Sequence, residues 1–168
     1  MPIEVLEIGA IKGPLIQHWM DGAINAGIAW IRNGEELPPT LFYTKGDLLC
    51  FASLTRFLSD RDKMGRAVRV LIESEDPDEY LLTMEMWIAP TEATGIDIDK
   101  LVKDSQSVKD LPNCGEGILL VHGTRQIERH GILRFSRQAS GVEFEPANWD
   151  VQGLMGRFTG LREMGKPN

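Results

Sequence analysis

The sequence predicts an α+β fold: one domain over residues 1–168, with a mainly antiparallel sheet of about five or six strands, two principal helices packed on it and a less regular C-terminal segment. Three observations carry this. Two stretches repeat apolar residues at helical spacing, while two pairs of β-rich runs are joined by loops too short for anything but hairpins. At 168 residues one hydrophobic core suffices. The order of elements places the helices mainly on one face of the sheet. The second arrangement, with helices on both faces, follows from a first hairpin that is apolar on both sides.

The first helix is predicted from Gly13 to Gly34. Ile16, Trp19, Met20, Ala23, Ile24, Ile28 and Ile31 form its stripe, Pro14 suits a first turn and Gly34 a stop, while His18, Asp21, Asn25 and Arg32 fall on the polar side. LPPTLFYTKGDLLCFAS then reads as a hairpin around Lys45-Gly46, pairing Tyr43 with Leu48, Phe42 with Leu49 and Leu41 with Cys50. Cys50 is thereby a small buried hydrophobe.

Ser59-Asp60-Arg61-Asp62 resembles a capping box and opens a second helix, with Met64, Ala67, Val68, Leu71 and Ile72 as its buried stripe and a stop before Pro77. EYLLTMEMWIA follows as a strand. Tyr80, Leu82, Met84, Met86 and Ile88 share its core face; Glu79, Thr83, Glu85 and Trp87 share the other. The polar stretch at about 90–115 reads as an insertion or loop.

GILLVHG is the next strand, with Ile118, Leu120 and His122 on one face and Leu119 and Val121 on the other, and TRQIER is a short connection. A last hairpin around Gln138-Ala139-Ser140-Gly141 sets Phe135 against Phe144, Ser136 against Glu143 and Arg134 against Glu145. One face gains an aromatic pair and the other an opposite-charge pair. The tail, at about 147–168, is apolar at roughly helical spacing yet interrupted by Gly153, Gly156 and Gly160, so it needs a surface to order it.

Composition narrows the function. Lys and Arg number 18 against 25 Asp and Glu, a net charge of −7, which disfavours nucleic acid as a partner. The two cysteines are far apart and form no disulfide framework. Glu4 and Glu7 stand where a secretory signal wants a basic start, and no run reaches membrane-span length, so a cytoplasmic location away from membranes is expected.

The densest polar stretch is GEGILLVHGTRQIERHGILRF. His122 ends one strand and His130 begins the next, so antiparallel pairing would bring them together at the sheet's rim, with Arg125 and Arg129 beyond. His122, His130 and Glu85 are the candidate catalytic groups, and Arg125 and Arg129 the candidate ligand contacts. The competing reading makes Arg125, Gln126, Glu128 and Arg129 a solvated turn, with glycine after each histidine supplying permissive backbone.

Arg125 and His130 share the R-x4-H spacing of helical HEPN ribonucleases, but strands flank it here. His122-Gly123-Thr124 is similar to half of the paired H-x-T/S signature of two-histidine phosphoesterases, and the second half is missing. No metal-ligand spacing, G-x-G-x-x-G or P-loop occurs, so neither metal nor cofactor is expected. The favoured function is a non-catalytic interaction or assembly module that binds a protein partner or itself through the insertion and tail, with Leu154, Met155, Phe158 and Leu161 as docking residues. The alternative is a small-molecule-binding protein or hydrolase using the His/Arg rim.

Overall fold

The computed structural model describes residues 5–10, 16–88, 114–149, 158 and 160–162, with side chains described from Trp19 onward. Among the described residues it has a single seven-stranded antiparallel sheet and two α-helices. In chain order these are β1 (Val5–Ala10), α1 (Ile16–Arg32), β2 (Thr40–Lys45), β3 (Leu48–Ser53), α2 (Arg61–Glu75), β4 (Glu79–Ile88), β5 (Gly115–Thr124), β6 (Glu128–Gln138) and β7 (Gly141–Phe144). Across the sheet the order is β1-β3-β2-β4-β5-β6-β7. The fold class is the one the sequence predicts, with one strand more than expected.

That extra strand is β1, which pairs along β3. Its register shifts between Glu7 and Gly9, and this bulge breaks the strict alternation by which a strand is found in sequence. Most of the expected 90–115 insertion lies outside the described residues; its end, Gly115, opens β5.

α1 stops at Gly34, as its sequence predicts. Gly34 sits at φ +78, its N–H bonds the Ile31 carbonyl, and Glu35 N–H bonds the Trp30 carbonyl, the paired bonds of a Schellman stop. α2 departs from the predicted capping box by one residue. Asp60, not Ser59, is the N-cap, and its Oδ1 accepts from Lys63 N–H at 2.9 Å. Asp60→Ala should therefore cost about 1 kcal/mol in denaturant unfolding, and Ser59→Ala far less.

The β2–β3 register also differs from expectation. Tyr43 faces Cys50, not Leu48, and the loop is Gly46-Asp47. Gly46, at φ +58, takes the first loop position, which a type II′ turn reserves for glycine, and Asp78 Oδ2 accepts from its N–H at 2.8 Å. The register has moved by two residues. Because side chains alternate with period two, every residue keeps its face, and the hydrophobic pattern alone fits both pairings.

Neighbouring residues on β4 belong to different cores, so the helices cover opposite faces, the second of the two predicted arrangements. Tyr80, Leu82 and Met84 pack with Met64, Val68 and Ile72 of α2, joined by Tyr43, Leu119 and Val121. Leu81 packs instead with Met20 and Ile31 of α1, Ile118, Leu120, Leu133 and Phe135. A central sheet covered twice needs apolar residues on both faces, which explains why β4 and β5 are buried almost throughout.

The last hairpin has the predicted register. Phe135 faces Phe144 with ring centroids 5.4 Å apart, and Ser136 faces Glu143. Beyond β7, Asn148 bridges back to Ile132, which carries Trp149 onto the α1 face of the sheet.

Candidate functional site

β5 and β6 pair so that His122 faces Arg129 and Val121 faces His130. The two histidines thus differ in parity and point to opposite faces of the sheet. The expectation that they lie together at the rim is overturned. A one-residue difference in register is all that separates a shared face from opposite faces.

On the α1 face, His122 is buried at 6% exposure beside Glu79 at 7%. His122 Nε2 bonds Glu79 Oε1, and His122 Nδ1 lies 3.2 Å from Arg129 NH2. A guanidinium only donates, so Nδ1 is the acceptor and the ring proton sits on Nε2, where it is donated to the Glu79 carboxylate. The result is a line from buried carboxylate to imidazole to exposed guanidinium. Trp149 completes it: its ring meets the imidazole edge-on at 6.3 Å, and the Arg129 guanidinium lies over it at 5.1 Å. Both nitrogens of His122 are occupied, so this arrangement holds Arg129 in place and leaves no ring nitrogen for a substrate.

On the α2 face the centre is Glu128, whose side chain is 5% exposed. Its carboxylate accepts from Tyr80 OH and His130 Nε2, each at 2.7 Å, and from the backbone N–H groups of Gly160 at 2.6 Å and Leu161 at 2.9 Å. Burial pushes the Glu128 carboxyl up, but these donors outweigh it and the net direction is down. Burial, and then the same carboxylate, push the Tyr80 hydroxyl up. Arg162 lies over the Tyr80 ring at 5.7 Å and donates to the Pro77 carbonyl. Glu128 is thus a clasp for the C-terminal segment and no part of a solvated turn.

The remaining candidates are dispersed. Arg125 is bound by Asp76 at 2.7 Å and Asp78 at 3.2 Å, with a further bond to the Asp76 carbonyl. Its hydrogen bond is the largest cause holding the Asp76 carboxyl low; for Asp78, the Gly46 N–H comes first and Arg125 second. Glu85 shares a face with His122 but faces Ile118, four residues back along β5, or about 13 Å. It accepts from Leu37 N–H at 3.1 Å and Arg137 at 3.2 Å, so it joins neither histidine. Phe158 and Leu161 are buried in the α2-side core at 6% and 2%, which removes them as docking residues; Leu154 and Met155 lie outside the described residues.

Among the described residues no group of three or more His, Cys, Asp or Glu side chains could hold a metal ion, and no helix is long and apolar enough to cross a membrane. An open depression of about 280 Å³ between Glu116, Arg134, Glu143 and Glu145 lies toward the other end of β5 and β6 from His122.

Both glycines that follow the histidines have a reason other than permissive backbone, since neither is at positive φ. A Cβ on Gly123 would stand 2.0 Å from Tyr80 Cζ, and one on Gly131 would stand 2.7 Å from Trp149 Cε3. Each glycine makes room for an aromatic ring, one on each face. Glu79, Glu128 and Trp149 are the site residues that sequence reasoning missed. Glu79 carried a signal, being the charged residue opening an apolar strand, but its partner follows only from the β4–β5 register.

Comparison of the chain with protein-family models, with curated proteins and with solved structures finds no match in any of the three.

Proposed function

We propose that the protein is a non-catalytic interaction or assembly module of the cytoplasm, acting on a protein partner or a second copy of itself through the C-terminal tail and the 90–115 insertion. One observation carries this reading. The conspicuous histidines are divided between two faces and each is bonded to a buried carboxylate, so they serve the packing of β4, β5 and β6.

The tail is held at two points: Trp149 on the α1 face, and Phe158 with Leu161 on the α2 face. Of the four docking residues expected from sequence, two are these anchors, which leaves Leu154 and Met155 as the residues for a partner. The net charge of −7 is consistent with a protein rather than a nucleic acid as that partner.

Leu154→Asp with Met155→Asp keeps all three anchors. Size-exclusion chromatography with light scattering should find the wild-type chain in a defined assembly, and the double variant dissociated with unfolding stability changed by no more than about 0.5 kcal/mol. A monomeric wild-type protein, or an assembly the double variant leaves intact, overturns the reading.

A further inference from the structure

We infer that Arg129 and Trp149 form a binding site for a carboxylate carried on an apolar body, separate from Leu154, Met155 and the partner they would meet. Two arginines stand in the loop and strand after His122, and their situations differ. Arg125 is neutralised by two aspartates. Arg129 is exposed, and among the described residues its one hydrogen bond is the donation to His122 Nδ1. Among the described residues the rest of its donor fork is uncommitted.

An arginine needed only for solubility requires no support from the interior. Here a buried glutamate orients a buried imidazole, the imidazole fixes one guanidinium nitrogen, and an indole ring supports the guanidinium plane. Ordering the side chain in advance removes most of the entropy that binding would otherwise cost, which is how recognition sites hold their contact residues. A planar fork with free N–H groups matches a carboxylate in two parallel bonds.

The surroundings set the class of ligand further. Trp149 is half-buried, and Ile127, two residues before Arg129, is 51% exposed, so apolar surface flanks the cation. The chain carries a net charge of −7 and the site offers one guanidinium, which suits a monoanion better than a phosphate dianion. The carboxylate could belong to a small aromatic or aliphatic acid, or to the C-terminus of a peptide ending in an apolar residue.

The test is a titration of ¹⁵N-labelled full-length protein, following the Trp149 indole N–H and Arg129 Nε–H signals. Sodium benzoate should shift both with saturation, and benzamide, its uncharged counterpart, should bind at least about tenfold more weakly. Arg129→Lys keeps the charge and loses the fork, and should weaken benzoate at least about tenfold with the melting temperature unchanged. N-acetylphenylalanine tighter than benzoate assigns the site to a peptide C-terminus; the reverse order assigns it to a small acid. Equal affinity for benzoate and benzamide, an undiminished Arg129→Lys variant, or shifts that fail to saturate at these two signals overturn the proposal.

Discussion

Gly123→Ala is expected to lower the stability of the protein by about 3 kcal/mol, the upper end of what an added core methyl costs. The added Cβ would lie 2.0 Å from Tyr80 Cζ and 2.3 Å from its hydroxyl oxygen. The ring cannot step aside cheaply. Tyr80 is fully buried, its hydroxyl is bonded to Glu128 and Arg162 covers its face. Calorimetry of the single variants and of the double variant Tyr80→Leu with Gly123→Ala separates steric conflict from a backbone effect. The double variant should cost less than the sum of the two singles. Strict additivity, or a Gly123→Ala variant as stable as wild type, would mean that the glycine is not making room for the ring.

Glu128→Ala should have a comparable cost, about 2–4 kcal/mol, because it leaves a hydroxyl, an imidazole and two backbone N–H groups without their acceptor. Its expected signature is local: amide hydrogen exchange at Gly160 and Leu161 should rise more than exchange within β4 or β5. The pH dependence has a definite sign. The carboxyl is held below its ordinary value in the folded protein, so its contribution is present in full above that ordinary value and is lost as pH falls through the lowered one. Wild-type stability should decline in acid, and the decline should be shallower in Glu128→Ala. An unchanged acid limb, or unchanged exchange at the two amides, would contradict the clasp.

How far these features were legible in the sequence depends on the range over which each is determined. The β6–β7 hairpin is local, and its turn, aromatic pair and charge pair agree on one register, so the sequence alone pairs Phe135 with Phe144, as the structure does. The stop of α1 at Gly34 is equally local. The β2–β3 hairpin is local too, but both candidate registers place apolar residues on both faces, and the bond that fastens Gly46 comes from Asp78, 32 residues away. The side of the sheet that each helix covers, and the partner of each histidine, depend on strand pairings that reach across the chain. Glu79 finds His122 43 residues later, and Tyr80 finds Glu128 48 residues later. No periodicity within a single strand encodes such a pairing. His122 and His130 illustrate the cost: the sequence puts both near adjoining strand ends, yet a difference of one residue in register sets them on opposite faces.

The two histidines are committed to the fold, His122 through the line from Glu79 to Arg129 and His130 through the Glu128 clasp. Long-range ¹H–¹⁵N correlation spectra of the imidazole rings test this most directly. His122 should show a single tautomer, with the proton on Nε2 in slow exchange with water and Nδ1 unprotonated. A His122 ring with its proton on Nδ1, or one exchanging freely between tautomers, would contradict it and would return that imidazole to the role of an available acid or base.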